Sequence, residues 1–81
     1  MHNRVKDYIL DNEFRLTLFK DRINIVNYSK LLQIDRKEMI ISNSYSKIYI
    51  KGTNLVLNKL LDNEILISGL ILSIEVKYEQ V

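Results

Sequence analysis

Apolar residues recur at every second position along most of this chain, with charged or hydroxyl-bearing residues between them. That is the period of a pleated strand with one buried face. Phe14, Leu16 and Leu18 alternate with Arg15 and Thr17, and after a polar reversal at Lys20-Asp21 the alternation resumes with Ile23 and Ile25. A hairpin is the simplest reading. Asn27-Tyr28-Ser29-Lys30 is turn-like. Leu32 and Ile34 then carry the period to the charged reversal Asp35-Arg36-Lys37-Glu38, and Met39 and Ile41 lead a further strand closed by Asn43-Ser44. Ahead of these, Val5, Tyr8 and Ile9 fall at i, i+3 and i+4, the spacing of a short N-terminal helical turn.

The stretch 45–78 organises the rest. Ile48 with Ile50, Leu55 with Leu57 and Ile65 with Ile67 predict three successive strands joined by two reversals. Gly52-Thr53 fits a two-residue loop whose first central position needs a positive φ, and that register sets Ile50 opposite Leu55 and Ile48 opposite Leu57. Leu61-Asp62-Asn63 fits a three-residue loop with Asn63 left-handed, which sets Leu57 against Ile67 and Leu55 against Gly69. At Gly69 the phase changes: the odd-numbered Ile65 and Ile67 give way to the even-numbered Leu70, Leu72, Ile74, Val76 and Tyr78 as the buried set. One inserted residue at a β-bulge re-phases a strand in this way, and a glycine inside a strand marks such sites.

The expected fold class is therefore all-β. About eight strands would form a small antiparallel meander closing into a sandwich, roll or barrel, with a β-solenoid as the structural runner-up because the spacing is regular.

Composition sharpens this picture. At 81 residues and 9.6 kDa there is room for one small β domain, residues 13–81, behind an N-terminal segment of residues 1–12. Such a domain buries roughly 60–65% of its unfolded surface. Apolar residues make up 47% of the chain, too many for a disordered tail, and they are rich in Ile and Tyr with no Ala, which favours pleated surfaces over helices. With no Cys the chain forms neither disulfides nor thiolate metal sites, and a reducing compartment is expected. Residues 1–12 carry Arg4, Lys6, Asp7 and Asp11 and no apolar stretch of signal-peptide length, so export by that route is not expected. The run from Ile65 to Ile74 is about half of the ~20 residues a membrane helix needs.

The twelve Lys and Arg against ten Asp and Glu give a net charge of +2 with the signs interspersed, not the basic field that a polyanion would require. His2 is the only histidine and stands beside the first Met, a poor place for a catalyst. Asp35, Glu38, Asp62 and Glu64 lie at reversals, where acidic residues form turns, and the two glycines, Gly52 and Gly69, open no phosphate loop. No catalytic residue, cofactor or metal ligand is expected. The candidate interaction face is Tyr45, Lys47, Tyr49 and Lys51, an aromatic and basic stripe opposite Ile48 and Ile50. It would serve a protein partner or, in a second reading, stack nucleobases as a small nucleic-acid-binding β-barrel. Open strand edges are the other candidate surface, since strand addition into a homo-oligomer would cover them.

Three segments carry a resemblance to a known family: residues 14–28 (FRLTLFKDRINIVNY), 48–57 (IYIKGTNLVL) and 64–76 (EILISGLILSIEV), the last containing Ile67-Ser68-Gly69-Leu70-Ile71-Leu72-Ser73-Ile74. Their order and character resemble the YabP/YqfC family of sporulation proteins over residues 13–78, and are closer to its YqfC branch. Where that family has a glycine in the turn ahead of the second segment, this chain has Tyr45-Ser46. The resemblance implies a non-enzymatic protein of endospore formation, acting in the mother cell or at the forespore membrane surface in cortex or coat assembly. The implied partners are a protein, a second copy or a forespore membrane protein. The family has no catalytic or ligand residues to carry over.

Overall fold

The computed structural model describes residues 13–79. They form six antiparallel strands: β1 (Arg15–Leu18), β2 (Arg22–Val26), β3 (Lys30–Ile34), β4 (Glu38–Ser42), β5 (Ser46–Leu60) and β6 (Glu64–Tyr78). One sheet takes them in the order β1-β2-β6-β5-β4-β3. The strands from β3 to β6 make a meander, and the β1–β2 hairpin lies along the far side of β6. Every pairing is antiparallel, which excludes the solenoid with its parallel rungs. The helical turn expected at Val5, Tyr8 and Ile9, and His2, lie outside the described residues.

The two central strands are 15 residues each, so the hairpin they form would span about 50 Å if straight. It is not straight. The Asn27 N–H donates to the Asn63 carbonyl at the hairpin tip (2.6 Å), and two residues later the Ser29 N–H donates to the Ser42 carbonyl beside the start of β5 (2.8 Å). Two residues reach only about 7 Å, so the tip must fold back over the open end. Tyr28, between them, packs on the core and donates its hydroxyl to the Leu61 carbonyl (2.8 Å). The result is a roll: one open sheet folded over on itself.

Bulges supply the bend. Asn54 and Leu55 together oppose the single Gly69, Asn58 is an extra residue between the Leu57↔Ile67 and Lys59↔Leu66 pairs, and on β6 Leu72 is unpaired between Ser73↔Lys51 and Ile71↔Gly52. An extra residue on one strand increases twist and bends it. The fold thereby brings the inner faces of its two halves together. Ile23, Ile25, Met39, Ile41, Ile48, Ile50, Leu55, Ile65 and Ile67 form one cluster, each 2% exposed or less. Complete burial of an aliphatic side chain contributes about 1.5–3 kcal/mol, so this cluster is the main stabilising term.

Four expectations are corrected. No reversal occurs at Gly52-Thr53; β5 runs through it, and Ile50 and Ile48 face Ile74 and Val76 of β6 instead of Leu55 and Leu57. The Gly52 N–H donates to the Lys37 carbonyl (3.0 Å) and the Leu55 N–H to the Arg36 carbonyl (2.8 Å), so the β3–β4 turn takes the amides that a hairpin loop would leave to solvent. Gly52 has no positive φ. It is there for space, because a Cβ would collide with the Leu70 carbonyl oxygen.

The expected Leu57↔Ile67 pairing is present, but the extra residue Asn58 sets it and not a three-residue loop: Leu60 pairs with Ile65, the reversal turns on Asp62-Asn63 alone, and Asn63 is not left-handed. The Leu61 N–H closes the loop on the Glu64 carbonyl (2.8 Å), and the positive φ values fall at Asn27 (65°) and Asn54 (53°).

Gly69 has a φ of 130°, yet the phase does not change there. Ile71 still faces inward opposite Gly52. The change comes at the Leu72 bulge, which leaves Leu70 and Leu72 exposed and puts Ile74 inward opposite Ile50.

On β3 the inward residue is Leu31, opposite Ile41. A bulge at Leu32 turns that side chain out, and Ile34 lies exposed at the strand end.

Candidate functional site

Lys47, Tyr49 and Lys51 alternate with Ser46, Ile48 and Ile50, all buried, and so point away from the core. On one flank β4 sets Ser42, Ile40 and Glu38 beside them; on the other β6 sets Lys77, Glu75 and Ser73. The Lys77 ammonium lies 4.9 Å from the centroid of the Tyr49 ring, a cation–π contact over a half-buried aromatic. Lys47 Nζ is 4.0 Å from Glu79 Oε2, an exposed pair of little energetic weight. Lys51 stands opposite Glu38. Each basic residue of this face therefore has a carboxylate or an aromatic ring beside it.

Tyr45 does not join the other three. It sits in the turn before β5, which Asn43 holds: Asn43 Oδ1 accepts hydrogen bonds from the Tyr45 N–H (2.9 Å), the Ser46 N–H (2.7 Å) and the Ser46 hydroxyl (2.9 Å). This side chain mimics a backbone turn. The Asn43 Nδ2 is buried without a hydrogen-bond partner. From that turn the Tyr45 ring stacks on Tyr78, with centroids 6.1 Å apart and planes 8° from parallel, while the Tyr45 carbonyl accepts from the Glu79 N–H (2.9 Å). A surface depression of about 340 Å³ beside this turn is rimmed by Lys30, Lys47 and Glu79, so it presents no single sign of charge to a ligand.

The second half of β6 borders the same face. β2 pairs with β6 only from Glu64 to Ser68, and the Gly69 N–H then reaches the Asp21 carbonyl (3.1 Å). Beyond that point no described strand lies on this side of β6. Because the Glu79 N–H points to β5, alternation turns the backbone groups of Ser73, Glu75 and Lys77 toward β5 and those of Ile74, Val76 and Tyr78 outward. Val76 is 44% and Tyr78 71% exposed, with the exposed Leu70 and Leu72 just upstream.

The expected stripe thus survives as Lys47, Tyr49 and Lys51. Tyr45 is drawn into a stack with Tyr78 that sequence reasoning did not foresee, and the open edge that it expected without placing lies at Ile74, Val76 and Tyr78, which meet no described strand on that side. The available signal was the proline-free, unbroken alternation Ser73-Ile74-Glu75-Val76-Lys77-Tyr78. Among the described residues no three His, Cys, Asp or Glu side chains group closely enough to hold a metal ion. No helix among them is long and apolar enough to cross a membrane. Comparison with protein-family models, with curated proteins and with solved structures finds no match to this chain.

Proposed function

We propose that this chain is a non-enzymatic assembly module that captures a protein partner by strand addition, in the formation of a spore envelope. The observation that carries the mode of action is the free edge of β6 at Ile74, Val76 and Tyr78. Three N–H and three C=O groups lie in a row there with no partner strand among the described residues, beside exposed aromatic and aliphatic side chains. An open edge of this kind is a template for another strand. The sporulation setting, in the mother cell or at the forespore membrane surface, comes from the resemblance of residues 13–78 to the YabP/YqfC family.

The nucleic-acid reading fits the surface less well. Lys51 faces Glu38, Lys47 lies near Glu79, and Lys77 covers the face of the Tyr49 ring that a base would need. Polyanion binding rests on a net field of free cations.

Tagged chain expressed in an endospore-forming host, with crosslinking during sporulation, tests the proposal. The expected neighbours are forespore-membrane, cortex or coat proteins, and a Tyr49→Ser, Lys51→Ser double variant that folds is expected to yield fewer of these crosslinks. Unchanged crosslinks in that variant would count against the face as a contact surface. Titration of a labelled oligonucleotide at two salt concentrations is expected to show no micromolar binding; tight, steeply salt-dependent binding would overturn the proposal.

A further inference from the structure

Four strand flanks are open among the described residues, and three of them are blunted. The β1 flank is four residues long. The β3 flank begins with Lys30 and is broken by the Leu32 bulge. The outer flank of β5 beyond Gly52 is broken by the extra residues at Asn54-Leu55 and at Asn58, where the Asn58 side chain is tied to the Ser68 hydroxyl. Short edges and bulges are the devices that keep strands from pairing with other chains. The β6 flank has its bulge at Leu72 and runs on unbroken after it: from Ser73 to Tyr78 its register with β5 does not shift.

Its side chains are also self-complementary. In an antiparallel pair about a two-fold axis, residue i meets residue j and j meets i. An axis through Val76 sets Val76 against Val76 and Ile74 against Tyr78. Those are the three residues whose N–H and C=O groups face outward, so each juxtaposed pair exchanges two backbone hydrogen bonds. On the other face the same register sets Glu75 of each copy against Lys77 of the other, twice by symmetry. Moving the axis to Ile74 loses this match: Glu75 would meet Ser73, and Lys77 would meet Ile71. The backbone pattern and the charge pattern both fit the register centred on Val76.

We propose that the partner of the β6 edge is a second copy of this chain, joined as a two-fold dimer with Val76 on the axis and reciprocal Glu75–Lys77 pairs. The inference rests on the strand-addition reading above and names its partner. The two β6 strands continue one sheet across the dimer, and the Tyr45–Tyr78 stack of each copy lies at the seam, where Ile74 and Tyr78 meet.

Sedimentation of the purified chain across a micromolar to millimolar range reads the dimer directly. Glu75→Lys alone and Lys77→Glu alone each turn two opposite-charge pairs into like-charge pairs, and each is expected to raise the dimer Kd by about tenfold. The double variant Glu75→Lys, Lys77→Glu restores the pairs in swapped order and is expected to return the Kd to its original range. Val76→Pro removes an N–H that turns away from β5 and meets no described strand, so it should abolish the dimer while thermal unfolding of the monomer stays close to the parent. The chain has no cysteine, so Val76→Cys should oxidise to a covalent dimer under conditions where Thr53→Cys stays monomeric. A chain that is monomeric throughout, or a double variant no tighter than the singles, overturns the dimer. The assembly reading fails on a different result, namely sporulation crosslinks that Val76→Pro leaves unchanged.

Discussion

Asn54 and Gly69 face each other across the β5–β6 hairpin where it bends, both in left-handed backbone conformations with φ of 53° and 130°. A Cβ on Gly69 would lie 2.7 Å from the Asn54 carbonyl oxygen and 3.1 Å from the Leu55 Cα. The bulge that rolls the sheet therefore depends on a backbone approach that only glycine permits. Gly69→Ala combines an unfavourable φ with a backbone collision and should cost roughly 2–4 kcal/mol. Chemical denaturation checks this, with Thr53→Ala, expected within about 0.5 kcal/mol of the parent, as the control. A Gly69→Ala chain of near-parental stability would show that the two strands do not approach this closely.

Gly52 separates two physical reasons for a glycine. If it served a left-handed turn, Asn would replace it better than Ala, because Asn tolerates positive φ. Here the position is extended and crowded by the Leu70 carbonyl and the Leu55 side chain. Gly52→Asn should therefore destabilise at least as much as Gly52→Ala, and an Asn variant clearly more stable than the Ala variant would restore the hairpin loop.

The phase of β6 has its own test. Ile67 is fully buried, so Ile67→Ala should cost about 2–5 kcal/mol. Leu72 occupies the bulge at 65% exposure, and Leu72→Ala should change stability by less than about 0.5 kcal/mol. If Leu72 and Leu70 formed the inner face, both alanine variants there would show core-sized losses in the same urea titrations.

Asn43 anchors the turn that positions Tyr45. Its Oδ1 accepts from three donors, so Asn43→Ala should lose about 1–3 kcal/mol, while Asn43→Asp keeps the acceptor and should lose less at neutral pH. The Ala variant should also free Tyr45 from Tyr78, visible as altered tyrosine signals in the near-ultraviolet circular dichroism.

Much of the strand content was legible because period-two patterning is local. Ile23, Ile25, Met39, Ile41, Ile48, Ile50, Ile65 and Ile67 are inward-facing in the alternation, and all lie in the buried cluster. The Leu57↔Ile67 pairing followed from the same facing rule. The errors in the length of the 61–63 loop, at Gly69 and at Leu32 share one cause. A strand's phase slips at a bulge, and which residue becomes the extra one depends on the partner strand, not on the residue's own propensity. Lys47, Tyr49 and Lys51 were legible as a stripe, but the loss of Tyr45 from it to a stack on Tyr78 was not, because that stack joins residues 33 positions apart.

What the amino-acid order determined alone is an all-β chain with one inner face of branched aliphatics, since alternation and side-chain shape act between near neighbours. The fold-back through Asn27 and Ser29 was decided only in three dimensions, as was the insertion of β6 between β2 and β5. So was the exposure of the Ile74, Val76 and Tyr78 edge. Each depends on which strand occupies the space beside another, and hydrogen bonding between strands carries almost no imprint of residue type: the backbone groups that pair, or stay free to pair, are the same in every residue but proline.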